Sequence, residues 1–280
     1  MINQIILIFQ LIRLQNIIIA VFCIVLGAYI LPTYNPFMIA LTTLIVIVSM
    51  SFGNILNDIL DLENDKINHP DRVLPQGQVS LKTASYAAGL CALIAFCGSL
   101  YIPYIAQISL LAIYSLLFCY NFYLKKVALI GNIITAFLLS TVFLFTELVL
   151  LNTYTKLIIP ALLAFGISLI RELVKDLEDI EGDHQTDRIT FPIYLGINRS
   201  IIFIAALIVI FNIFCLYLYF THYNSFFYLI SIIILVEIPL LFSLFLLISN
   251  PQKTTFSRVA NNIKYITVGG LLVLLLAYIG

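Results

Sequence analysis

Nine stretches of the chain, near residues 14–32, 36–57, 81–101, 104–121, 128–150, 157–175, 200–220, 225–249 and 262–279, are apolar almost throughout. Each approaches the roughly 20 residues that an α-helix needs to cross a hydrocarbon core about 30 Å thick. Inside lipid every backbone N–H and C=O must find its partner within the segment, so continuous apolar runs of this length are read as helices. The expected fold is all-α: a polytopic membrane protein with nine transmembrane helices in a bundle, one domain over residues 1–280. Composition agrees, because 62% of residues are hydrophobic and only 10% charged, more apolar surface than one water-soluble core could hide. The first run follows a single basic residue, Arg13, and no small-residue cleavage site comes after it, so a retained helix is expected. The five cysteines are odd in number, lie in apolar runs and lack CxxC spacing, which points to packing rather than disulfides or zinc.

Net charge is zero, but the charges are not spread evenly. Placing the N-terminus inside puts thirteen of the fourteen basic residues on inner segments or adjoining helix ends and leaves only Lys156 outside. Cytoplasmic loops are the ones enriched in Lys and Arg, so this orientation is expected, in a cell membrane. Twelve of the fourteen acidic residues then cluster on the same inner face. Asp58, Asp61, Glu63, Asp65 and Asp71 follow the second run, while Glu172, Asp176, Glu178, Asp179, Glu181, Asp183 and Asp187 end or follow the sixth.

The two clusters share a spacing. Asn54, Asp58, Asp61 and Asp65 are four, three and four residues apart, and Glu172, Asp176, Asp179 and Asp183 repeat the pattern 118 residues later. At 3.6 residues per turn each set falls within about 60° of one helical face. The chain therefore reads as internally duplicated. Like charges at these spacings repel, and carboxylates near lipid are costly, so something must neutralise them. Oxygen ligands without nearby Cys or His select a hard cation, and Mg²⁺ commonly bridges carboxylates to substrate phosphates. Asp58, Asp61, Asp65, Asp176, Asp179 and Asp183 are the expected metal and catalytic ligands, and a diphosphate is the expected third party. Solvated loop charge suits the off-stripe Glu63, Glu178 and Glu181 better.

A departing diphosphate also needs fixed positive charge. Lys66 and Arg72 follow the first motif, Lys125 and Lys126 open the next inner loop, and Arg171, Lys175 and Arg188 flank the second motif. Arg72 and Lys125 are the leading phosphate contacts. Pro70, Pro75 and Gly77 punctuate the loop after the first motif and suit a compact turn over the inner mouth of the helices. Glu237, in the middle of an apolar run beside Pro239, has no assigned role.

These residues resemble the UbiA-type superfamily of intramembrane prenyltransferases. Asn54 with Asp58, Asp61 and Asp65 resembles its NDxxDxxxD motif, and Asp176, Asp179 and Asp183 its second, DxxxD-type motif. Arg72, Pro75 and Gly77 are similar to an RPLPxG segment in which Val73 replaces a proline. The segment from Tyr120 to Asn132, with Lys125 and Lys126, is similar to the family's stretch between helices four and five. "INHPDRVLPQG" and "RELVKDLEDIEGD" look most like digeranylgeranylglyceryl phosphate synthases.

The resemblance implies Mg²⁺-dependent transfer of a prenyl, specifically geranylgeranyl, group to geranylgeranylglyceryl phosphate. Substrate contacts are then expected from Asn54, Lys66, Arg72, Tyr120, Lys125, Lys126, Asn132, Arg171 and Lys175. A second-motif carboxylate is the preferred acceptor of the proton released on transfer. Two alternatives stand beside this reading. One is an aromatic prenyltransferase of quinone biosynthesis, and the other is a cation transporter, which also uses repeats and membrane acids. No nucleic-acid partner is expected.

Overall fold

The computed structural model describes residues 2–186 and 188–279, so Asp187 of the second acidic cluster lies outside the described residues. In chain order the α-helices are α1 (Ile2–Leu11), α2 (Leu14–Ile30), α3 (Pro36–Leu60), α4 (Leu62–Asn68), α5 (Leu81–Ser99), α6 (Tyr104–Phe122) and α7 (Ile130–Leu151). They continue as α8 (Ile158–Glu178), α9 (Ile180–Gln185), α10 (Phe191–Leu195), α11 (Ile197–Leu218), α12 (Phe226–Ile232), α13 (Ile238–Ser249) and α14 (Lys253–Ile279). Among the described residues no strand forms, and the only extended pairing is an isolated bridge between Val127 and Ile189.

Each of the nine apolar runs coincides with helical structure, and among the described residues seven segments are both long and apolar enough to cross a membrane. The other two fall short for different reasons. Helix α2 has 17 residues, and α8 is long enough at 21 but gives its last turns to Arg171, Glu172, Lys175, Asp176 and Glu178. The eighth run is one helical segment in which α12 and α13 are joined by a π turn at Ile233–Glu237. Glu237 ends that turn, buried, with one carboxyl oxygen lacking a partner.

The helix starts follow local chemistry. Asn35 caps α3 by accepting from the Met38 N–H, with Pro36 at the first helical position, where its missing N–H costs nothing. Ser80 does the same for α5 through the Thr83 N–H. Hydroxyls within the apolar helices commonly turn back onto carbonyls four residues earlier, as those of Thr42, Ser51 and Thr146 do, whereas the buried Ser243 hydroxyl of α13 has no partner.

The chain divides into two units. The first comprises residues 1–124, 142–157 and 181–188, and the second residues 125–141, 158–180 and 189–280. In the first, α3 packs along α5 and also meets α2 and α6. The segment after α7 is held by Glu147, fully buried, which accepts from the Thr153 hydroxyl and the N–H groups of Thr155, Lys156 and Leu157. In the second unit α8 packs against α14 and α11. Gly166 permits the approach to α11, because a Cβ there would lie 2.7 Å from the Phe211 ring.

The duplication is visible in the backbone. The long helices α3 and α8 end at Leu60 and Glu178, and the short helices α4 and α9 begin at Leu62 and Ile180, so the interruptions fall at Asp61 and Asp179. These positions are 118 residues apart, matching the carboxylate repeat. Asp61 takes φ −100° and ψ 9°, the bridge region between helix and strand, while the i to i−4 bonds continue on both sides of it.

Candidate active site

In the first unit the three aspartates of the first motif, Asp58, Asp61 and Asp65, are buried together with Asp183 of the second. Buried carboxylates need compensating charge, and three arginines supply it. Arg13 forms an ion pair with Asp58. Arg72 donates to both oxygens of Asp65 at 2.7 Å and stands 3.7 Å from Asp58. Arg188 donates to Asp61 and lies 3.9 Å from Asp183. Three guanidiniums thus reach all four carboxylates, Arg72 and Arg188 each reaching two of them.

Electrostatics follow from that arrangement. Burial pushes the Asp65 carboxyl above its ordinary value, against the pull of Arg72 and with some help from Asp58 and Asp61. Burial works against the charge on Arg188, but Asp61, with Asp183 behind it, more than offsets this and raises its affinity for the proton.

Several local features aim these side chains. Arg13 occupies the corner between α1 and α2 in a left-handed conformation, φ 56° and ψ 57°, costly for a residue with a Cβ. The corner is held by Asn54, whose amide donates 2.9 Å to the Ile12 carbonyl. Asn54 is therefore a fastener for Arg13 rather than the asparagine of an Asn-Asp pair. The residue directly before Asp58 is Asn57, and its Oδ1 is buried without a partner. Gly77 takes φ +69° in the turn after Pro75, which closes the loop carrying Arg72.

The expected substrate contacts separate into groups. Lys66 pairs at 2.7 Å with Glu63, both well exposed, an arrangement worth little. Tyr120 belongs to the first unit and feels the charge of Arg188. In the second unit Asn132 donates 2.9 Å to Asp176, while Arg171 and Lys175 both hold Glu172, at 3.1 and 3.0 Å. Lys125 and Lys126 lie in a single 3₁₀ turn, and the Lys126 carbonyl accepts from the Ile189 N–H.

The buried carboxylates and the orphaned Asn57 amide oxygen are hard oxygen donors of the kind that suit a hard divalent cation. Among the described residues no three acidic, histidine or cysteine side chains converge tightly enough to ligate one ion, and Asp58, Asp61 and Asp65 are each paired with an arginine. Four participants escaped the sequence reading. Asn57 lies off the three-and-four stripe, Arg13 is 45 residues from its partner, and Asn64 and Asn68 are uncharged. For the last two a signal was present, since 61, 64, 65 and 68 share one face of a helix.

Comparison with known proteins agrees with this picture. The UbiA prenyltransferase family model matches residues 16–266. A digeranylgeranylglyceryl phosphate synthase of Methanosphaera stadtmanae is 32% identical over 263 residues, covering 94% of each chain. A solved structure of digeranylgeranylglyceryl phosphate synthase in membranes superposes with a TM-score of 0.72 at 31% identity, covering 99% of both chains. A UbiA homologue from Archaeoglobus fulgidus, bound to GPP and Mg²⁺, shares the fold with a TM-score of 0.69 at 16% identity, covering 96% of this chain and 99% of its own. With its apolar helices, its duplicated aspartate motifs and these relatives, the chain belongs to the UbiA prenyltransferase family and is a multi-pass membrane prenyltransferase.

Proposed function

We propose that this enzyme uses Mg²⁺ to transfer a geranylgeranyl group from geranylgeranyl diphosphate to the free hydroxyl of geranylgeranylglyceryl phosphate. Its site would face the cytoplasm, with the N-terminus inside. The name shared by the relatives supports the acceptor, the Archaeoglobus homologue bound to GPP and Mg²⁺ supports metal and diphosphate, and the basic inner segments support the orientation.

One observation carries the proposal: residues of both aspartate motifs meet inside the first unit, where Arg188 serves Asp61 and Asp183 together. Asp58, Asp61, Asp65 and Asp183 would hold metal in the first unit, and Asp176 and Asp179 are proposed as metal ligands on the spacing of the second motif alone. When bound, Mg²⁺ would supply positive charge that favours departure of the diphosphate. Arg72 and Arg188 are placed to pair with phosphate as readily as with carboxylate. Lys66, Lys125, Lys126, Arg171 and Lys175 add attraction for the anion, while Asn54 and Asn132 hold the motif helices in register and Tyr120 borders Arg188. The diphosphate leaves with the bonding electron pair, the acceptor oxygen forms the new ether bond to the same carbon, and its proton passes to a second-motif carboxylate. The apolar surroundings keep water from competing with the acceptor.

The test is transfer from labelled geranylgeranyl diphosphate in purified membranes, offered geranylgeranylglyceryl phosphate and hydroxybenzoate. Label should enter the ether lipid only, require Mg²⁺, and fall about 100-fold or more in Asp58→Asn and Asp176→Asn, on the scale of lost electrostatic stabilisation. Label in hydroxybenzoate, or full activity in both variants, would overturn the proposal.

A further inference from the structure

We propose that Asn64 and Asn68, packed against Gly182, are positioning residues that set the orientation of Asp183 and thereby the metal affinity of the site. This rests on the Mg²⁺ reading above. Helices α4 and α9, seven and six residues long, are too short to hold their own shape, so their placement must come from tertiary bonds. Those bonds form one chain of amides within the first unit. The Gly182 N–H donates 3.0 Å to Asn68 Oδ1, Asn68 Nδ2 donates 2.8 Å to Asn64 Oδ1, and Asn64 Nδ2 donates 2.7 Å to Asp183 Oδ1.

The chain has a fixed polarity. A backbone N–H can only donate, so Asn68 must turn its oxygen to Gly182 and its NH₂ to Asn64. Asn64 must then accept with its oxygen and present its NH₂ to Asp183. The last link is a hydrogen bond to an acceptor-only carboxylate, and no amide can flip without opposing two donors or two acceptors. Asn64, Asn68 and Asp183 are all buried, where such mismatches are expensive.

Gly182 explains how the amides approach so closely. A Cβ on it would lie 2.4 Å from Asn68 Nδ2 and 2.7 Å from Asn64 Oδ1, so no other residue fits without displacing them. Thr186 closes the turn by donating 2.8 Å to the Gly182 carbonyl. Asn132 does the corresponding work for Asp176 in the second unit, so two second-motif aspartates each accept from an asparagine outside that motif. Asn64 comes from the first motif's own helix, and the two motifs are joined directly through it.

Hydrogen-bond partners of metal ligands typically contribute about 10- to 100-fold in metal affinity. The experiment measures Mn²⁺ binding to the full-length protein by electron paramagnetic resonance, alongside the Mg²⁺ dependence of transfer and the thermal midpoint without metal. Asn64→Ala should weaken Mn²⁺ binding and raise the half-saturating Mg²⁺ by about 10- to 100-fold, with turnover largely restored at saturating Mg²⁺. A purely structural role would lower the thermal midpoint and leave metal affinity unchanged, and that result in a folded variant overturns the inference. Where Asn64→Ala does not fold, Asn68→Ala carries the same expectation and the same refutation. Asp58→Asn separates the two claims. Retained metal binding and turnover there sinks the Mg²⁺ reading, whereas lost binding there with parental affinity in the Asn64 and Asn68 variants sinks only the positioning role.

Discussion

Arg188→Gln isolates the energetics of the shared cation. The Arg188, Asp61 and Asp183 side chains are 14, 9 and 6% exposed, so water screens them poorly. At 3.9 Å the attraction to Asp183 alone is about 4 kcal/mol at an effective dielectric constant near 20. Desolvation consumes much of that, but removing one partner of a buried pair leaves the other uncompensated, at a cost of roughly 3–5 kcal/mol. The lower end, about 3 kcal/mol, suits groups that keep some exposure. At roughly 2–4 °C per kcal/mol the variant should melt about 6–12 °C below the parent. Differential scanning fluorimetry of the detergent-purified protein measures this. Asp61→Asn combined with Arg188→Gln should recover at least half of the loss, because one of the two carboxylates that Arg188 serves no longer carries charge while the other, Asp183, still accepts from Asn64, and Mg²⁺ should stabilise the single variant more than the parent. A midpoint within about 2 °C of the parent, with no gain in the double variant, would refute an arginine-balanced carboxylate cluster.

Gly182→Ala should raise the Mg²⁺ requirement, since its Cβ would displace the Asn68 and Asn64 amides; an unchanged Mg²⁺ titration would count against the close packing. Glu147→Ala strips the acceptor from three N–H groups and a hydroxyl, each costing about 1–3 kcal/mol when buried and unpaired, so folded yield should collapse while any surviving protein keeps its affinity for donor substrate. The pH dependence follows from Asp65. Burial holds its folded-state value above the unfolded one, so its contribution to stability is full below the unfolded value and declines as pH rises through the folded one. Protons and Mg²⁺ compete for the same carboxylate, so half-saturating Mg²⁺ should climb as pH is lowered toward the carboxylate range; a flat profile would remove Asp65 from the ligand set.

What the sequence made legible was periodic or repeated. The apolar runs announced the helices because lipid leaves them no other way to satisfy the backbone, and the 118-residue repeat marked equivalent positions in both halves, although the spacing suited an unbroken helical face and gave no sign of the interruptions at Asp61 and Asp179. What it concealed was pairing at a distance. Nothing local tells Arg13 that Asp58 lies 45 residues on, and the left-handed corner that aims it has no sequence mark such as glycine. Asn57 was hidden by the very stripe that revealed its neighbours, being one residue out of phase. Glu147 stands alone among apolar residues, and its partners are backbone N–H groups, which every sequence supplies equally.

Residues 181–188 fold with the first unit although the chain reaches them only after passing through the whole of α8 in the second. Synthesis order and site assembly are therefore out of step. A nascent chain that has completed α6 at Phe122 carries Asp61 without Arg188, and its first carboxylate cluster can gain that counter-charge only when 66 more residues have been made. The enzyme cannot be divided at the boundary of its internal repeat into two self-sufficient halves: the fragment holding the first motif would lack Arg188 and Asp183, and the fragment supplying them would lack Asn64 and Asn68.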